Sequence, residues 1–251
     1  MAALESTLGP AAPADLTQLF IDIESRFQQT TPALHLAPDA WYLLVVTCLA
    51  AGPCPEAAGQ LYRHLIQQPR YNDPPARQAL VRRLREALVK AVALLGVCKP
   101  LQAACALSAA ESPEDKDHTV SRAGWRSDID AAHARGRAFY GRLYGPNAAD
   151  TKGLLEGHGD FDVVCEHVVY GFFLGDRQAI GDDLHVEVVV LAAIMSQDLG
   201  RESGWHLRGI RRLGASRADV QVIWDAIKLV ASHFGQALVK VPTVEEVESS
   251  V

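Results

Sequence analysis

The chain has no C-x-x-C pair. Its five cysteines, at 48, 54, 98, 105 and 165, are odd in number and carry no metal-site spacing. That excludes a disulfide-stapled scaffold and a sulfur-ligated metal, and it fits a reducing compartment. Positive charge is also short: 24 Lys and Arg stand against 30 Asp and Glu, for a net charge of −6. Neutralising phosphates needs a basic face, and Arg208, Arg211 and Arg212 make only one helix stripe, so nucleic acid is not expected as a partner. No apolar run reaches the ~20 residues that a bilayer crossing requires, because Asp, Arg, Lys or His interrupts each one, so no membrane partner is expected. MAALESTLGPAAPADLTQLF has neither the basic start and apolar core of a secretory signal nor the arginines of a convincing mitochondrial presequence, and VEEVESSV is no peroxisomal address. The expectation is a cytoplasmic protein, with a mitochondrial one left open.

No segment alternates with the period of two that a half-buried strand needs, and proline is sparse at 13 residues. What is present is a helical series, with 49% hydrophobic residues, enough for a well-packed core. LTQLFIDIESRF (16–27) carries apolar residues at three-to-four spacing behind Pro13 and Asp15, and TTPALHLAPDA breaks it. WYLLVVTCLAA then runs unbroken to Gly52-Pro53, PEAAGQLYRHLIQQ follows, and ARQALVRRLREALVKAVALLG closes at Gly96. The order returns further on. VEVVVLAAIMS is again almost wholly apolar, RESGWHLRGIRRL is amphipathic and stops at Gly214, and Ser216, with Asp219 three residues on, opens a last helix running to Gly235. Superposing the two runs sets Ile66 on Ile210 and ALVKAVALLG on AIKLVASHFG. Between them, ESPEDKDHTVSRAG reads as a loop and DIDAAHARGRAFYGRLYG as a connecting helix. The expected fold is all-α, two tandem three-helix units with connecting helices. Its divisions are an N-terminal extension (1–36), a first, structural repeat (37–110), a loop and connecting helix (111–150), and a second repeat with the active site (151–251).

The chemistry concentrates in LGRESGWHLRGIRRLGAS (199–216). Glu202 and His206 lie four apart on one helix, so their side chains stand one above the other, and Glu202 is expected to orient the imidazole. Glu187, between Val186, Val188 and Val189, is expected in a low-dielectric pocket where a carboxyl can exchange protons. Gln197 and Trp205 are candidate substrate contacts beside this group. Tyr62 is a third, in a pocket between pseudo-symmetric units. Each has a plainer reading. Glu187 follows Asp182-Asp183 at a helix start, where negative charge is favourable in any protein. His206 is an ordinary core histidine in that reading, and Glu202 pairs with Arg201 or Arg208. A metal is not expected: Asp198 and His206 would stand ~12 Å apart along an ideal helix, too far to share one ion.

The stretch from Val186 to Gly235 resembles the core of the carboxymuconolactone decarboxylase and alkyl hydroperoxidase D superfamily, in which a buried helix leads into the reactive helix, a glycine-ended turn and a third helix. The whole chain, with RG-x-x-FY-x-x-LYG at 135–145, is most similar to fungal two-repeat members, over about residues 37–235. The peroxidase branch has two cysteines, a histidine four positions after the second, and a glutamate twelve before the first. The resemblance puts that glutamate at Glu187 and the histidine at His206, with Leu199 and Glu202 where the thiols would be. In the first repeat Tyr62 stands at the histidine's place and Trp41 or Tyr42 at the glutamate's. Neither Leu nor Glu performs thiol chemistry. The implied activity is therefore a cofactor-independent acid–base reaction, a decarboxylation, isomerisation or cyclisation of a small oxidised or acidic organic molecule, with Glu187, Glu202 and His206 as catalytic residues and no metal or organic cofactor. The resemblance also implies a homo-oligomer. A non-catalytic ligand-binding or assembly scaffold is the alternative, and a residual thiol oxidoreductase using Cys165 or Cys48 stands behind it.

Overall fold

The computed structural model describes residues 14–29, 37 and 39–251; the N-terminal division and the break TTPALHLAPDA fall largely outside them. Among the described residues the chain is helical and has no strand, so the fold is all-α. No helix among them is long and apolar enough to cross a membrane.

The amphipathic helix α1 (Thr17–Gln29) turns Leu19, Phe20, Ile23 and Phe27 inward. AWYLLVVTCLAA offers no polar face to solvent, and it forms α2 (Ala40–Ala51), every residue of which is buried. A helix with an apolar surface all round needs neighbours on every side. Those neighbours are α1, α3 (Ala58–Leu65), α4 (Pro74–Leu95), α5 (Cys98–Ala110), α9 (Asp183–Met195) and α11 (Arg217–His233). Asp73 starts α4: its side chain accepts from the Ala76 N–H at 2.8 Å, with proline in the first helical turn. α9 is buried from His185 to Met195 and is started by Asp182, whose carboxylate accepts from the His185 N–H at 2.8 Å. After a tight turn in which Asp198 takes φ +53°, α10 (Gly200–Arg212) packs against α9. Ser216 and Asp219 close the anticipated capping box at the start of α11.

Three features differ from the sequence expectations. Cys98–Ala110 is a helix, because α2 and α3 need that face covered. A short further helix, α12 (Val244–Glu248), follows α11 and packs on α10 and α11, so the chain does not end its helical part at Gly235. The expected connecting helix is α6 (Ile129–Tyr144); the stretch between it and α9, which carries no reading of its own, is also helical, with α7 (Ala148–Gly153) and α8 (Gly159–Val163) leading into a π-helix, Val164–Leu174. Glycine lets this part come close. A Cβ on Gly136 of α6 would lie 2.6 Å from the Gly171 nitrogen of the π-helix, and one on Gly209 of α10 would lie 2.3 Å from Leu143 Cδ1 of α6. These approaches bring α6, the π-helix and α10 together as one corner of the molecule.

Candidate functional site

Glu187 sits in the middle of α9 with no solvent exposure. A carboxylate there is costly unless it is paired. Its partner comes from α10: the Nδ1 and Oε2 atoms of His206 and Glu187 are 2.7 Å apart. His206 is itself 5% exposed. Its other ring nitrogen, Nε2, lies 3.4 Å from the Tyr144 hydroxyl at the end of α6, and that hydroxyl lies 2.9 Å from the hydroxyl of Tyr170 in the π-helix. With Glu187 as carboxylate and His206 as the neutral imidazole, Nδ1–H donates to Glu187 and Nε2 is the acceptor. Tyr144 then donates to Nε2 and Tyr170 donates to Tyr144. Burial holds both phenols well above their ordinary range, and the charge of Glu187 adds to it, so both stay protonated and serve as donors.

His206 lines a pocket of about 380 Å³, in the size range of small-molecule sites, with Glu187 buried behind it. Tyr140, Tyr144, Tyr170 and Trp205 give it an aromatic lining. Leu94, Leu155, Val169 and Ile194 add apolar surface. Lys152, Asp162, Glu166, Arg201 and Glu202 supply its charged lining.

The expected residues therefore separate. Glu187 and His206 meet directly. Trp205 lines the pocket, edge-on to Tyr144 with ring centroids 6.3 Å apart. Glu202 also lines it but makes no hydrogen bond to His206; both ring nitrogens face other groups, and Glu187 holds the orienting place expected of Glu202. Gln197 is elsewhere: its amide donates to the carbonyls of Ala193 at 3.0 Å and Leu94 at 3.3 Å, finishing the end of α9 beside a separate surface depression. Tyr62 is elsewhere too, wholly buried, donating to Asp115 at 2.8 Å, where Arg77 also donates at 2.6 Å. That tyrosine is spent on tying α3 to the segment after α5. Asp198 accepts from the Lys240 N–H at 2.8 Å, and no group of three or more His, Cys, Asp or Glu among the described residues could hold a metal ion.

Tyr144 and Tyr170 had no place among the expected site residues. The signal for one of them was present: in RG-x-x-FY-x-x-LYG, Tyr140 and Tyr144 are four apart and share a helix face, and their rings stack at 4.3 Å. Cys165 lines the same pocket, but burial, with Asp162 adding to it, pushes its thiol above the ordinary range, and burial pushes the Cys48 thiol up to about 12. Neither is poised as a thiolate.

Fold and site together define an all-α protein in which a histidine backed by a buried glutamate lines a largely apolar, tyrosine-lined pocket. No protein-family model matches the chain, and neither the curated proteins nor the solved structures yield a significant match.

Proposed function

We propose that the chain is a carboxymuconolactone decarboxylase-like acid–base enzyme, a decarboxylase, isomerase or cyclase working without a cofactor on a small oxidised or acidic organic molecule. The observation that carries this reading is the 2.7 Å contact between His206 Nδ1 and Glu187, with Nε2 on the pocket side. A carboxylate behind an imidazole fixes its tautomer and stabilises the imidazolium formed when Nε2 takes a proton. In this reading His206 is the base that removes a proton from the substrate and later returns one. Glu187 positions it, and the neutral Tyr144 phenol donates to the oxygen on which charge develops. An isomerisation or cyclisation balances as one proton out and one proton in; a decarboxylation breaks the bond to the carboxylate carbon, releases CO2 and puts one proton on the carbon left behind, and none of the three needs an electron acceptor. Two further proposals belong to the same reading. The runs α2–α3–α4 and α9–α10–α11 are repeats of one unit, and the protein is a homo-oligomer, which suits exposed Phe161, Val163, Val164 and Val168 near the pocket.

The test is proton exchange and turnover on a panel of β-keto acids, lactones and aryl ketones in D2O, followed by NMR. His206→Gln is expected to lower kcat by on the order of 10²- to 10⁴-fold with little change in melting temperature, and Glu187→Gln to do the same, since each keeps shape and loses the proton chemistry. Turnover per folded molecule unchanged in both variants would leave the scaffold reading in front.

A further inference from the structure

We infer that the pocket takes a neutral, flat aromatic molecule bearing an oxygen acceptor, bound through the Tyr144 hydroxyl, and that it discriminates against carboxylates. The inference narrows the acid–base reading above to its isomerisation or cyclisation branch on a neutral molecule, away from acids and decarboxylation, and rests on it for what the pocket is used for; the binding preference itself stands on three features of the lining.

The first is ring geometry. Tyr140 and Tyr144 stack with planes 29° apart, Tyr170 stands at 90° to Tyr140 with centroids 5.1 Å apart, and Trp205 stands at 70° to Tyr144. Ring faces and edges set around one space suit an aromatic guest, which gains both apolar burial and edge-to-face contact.

The second is charge. Three carboxylates, Asp162, Glu166 and Glu202, line the pocket against two cations, Lys152 and Arg201. Lys152 is already ion-paired with Glu166 and lies 3.9 Å from Asp162. An anionic guest would gain only the exposed Arg201, with Glu202 next to it in the chain, and would meet Glu187 behind His206. The lining therefore offers an anion little compensation for its lost water.

The third is the unfinished hydrogen bond. Tyr144 and His206 Nε2 are 3.4 Å apart, beyond the ~2.7–3.2 Å of a well-formed contact between nitrogen and oxygen. Tyr144 lines the pocket and has a second hydroxyl, that of Tyr170, behind it. Its O–H has a weak partner to leave and a pocket to turn into, so a guest oxygen is the natural acceptor, and the guest is then held against the imidazole.

The probes are 2-naphthol and 2-naphthoate, the same flat body with a neutral and an anionic oxygen, titrated by calorimetry into the wild-type protein and into His206→Gln at low and high salt. The expected result is saturable 2-naphthol binding that salt does not move, with 2-naphthoate weaker by about tenfold or more. Tyr144→Phe keeps the ring and is expected to weaken 2-naphthol by about three- to tenfold. Trp205→Leu should weaken it further still. Equal or tighter, salt-sensitive binding of 2-naphthoate would overturn the inference in favour of an anion site at Arg201. Absence of 2-naphthol binding at millimolar concentration would overturn it, and so would full binding in Tyr144→Phe. The two readings fail separately: 2-naphthol binding with no turnover on any panel compound sinks the acid–base function alone, whereas turnover of carboxylates in preference to neutral ketones sinks the ligand class alone.

Discussion

His206 and Glu187 are one of several buried polar groupings in this core, and the others show what an ionisable side chain does here when it has no pocket to serve. Lys90 is wholly buried in α4; it donates to the Phe173 carbonyl at 2.9 Å and to the Asp176 carbonyl, and lies 3.2 Å from Glu86, which Arg122 also holds at 2.6 Å. Burial, against the pull of Glu86, lowers Lys90 from 10.5 to about 8. His185 goes the other way. Burial opposes its charge, but hydrogen bonds to Asp182 and Asp39 outweigh that and raise it from 6.5 to about 8, with Arg83 opposing from α4. The two shifts give opposite pH limbs. The stability contributed by His185 is full below pH 6.5 and lost as pH rises through about 8. Lys90 costs most below about 8, and the folded form recovers stability as pH climbs toward 10.5, because it releases that proton before the unfolded chain does. We expect stability to pass through a minimum near pH 8, each limb worth on the order of 2–3 kcal/mol. Urea midpoints across this range check it: His185→Gln should flatten the lower limb and Lys90→Met the upper, and a monotonic profile in wild type would refute the assignment.

Between elements, α6 and the π-helix meet backbone to backbone at Gly136 and Gly171. Gly136→Ala would drive a methyl into the Gly171 backbone, where no side chain can swing aside. We expect a loss of about 1–3 kcal/mol and a melting temperature lower by roughly 2–10 °C, with weaker aromatic binding as well, because Tyr144 and Tyr170 ride on those two elements. Differential scanning calorimetry beside the naphthol titration measures both. This corner is also where sequence reading and structure part. Glu187 and His206 were legible because a charged residue in an apolar run and a histidine on the next amphipathic helix stand out by periodicity alone, and the resemblance gave their spacing. Glu202 was assigned the wrong job because one-turn proximity along a helix says nothing about a closer carboxylate on the neighbouring helix. Gln197 and Tyr62 looked available only because the groups that satisfy them, the Leu94 carbonyl and Asp115, lie 103 and 53 residues away. Tyr170 sits in a π-helix, whose side-chain repeat matches neither the helical nor the strand template, so VCEHVVYGFFL gave no periodic signal.

At the scale of the molecule, α2 and the buried run His185–Met195 of α9 set the terms. α2 lies against α9, where Cys48 Sγ and the Ala192 carbonyl meet 4.0 Å apart across 144 residues of sequence. Neither α2 nor His185–Met195 has a face it can show to water, so each relies on a partner from the other half of the chain. The residues up to about 150, produced alone, are expected to be insoluble or to bind hydrophobic dyes strongly; a soluble, cooperatively melting fragment would show that the first half is self-sufficient. The same dependence has a consequence in time. At a synthesis rate of ~5–20 residues per second, α2 emerges from the ribosome several seconds before α9 exists to cover it. During that interval AWYLLVVTCLAA is an apolar segment on a nascent chain without its α9 cover, so the window for aggregation closes only when the second half of the chain has been made.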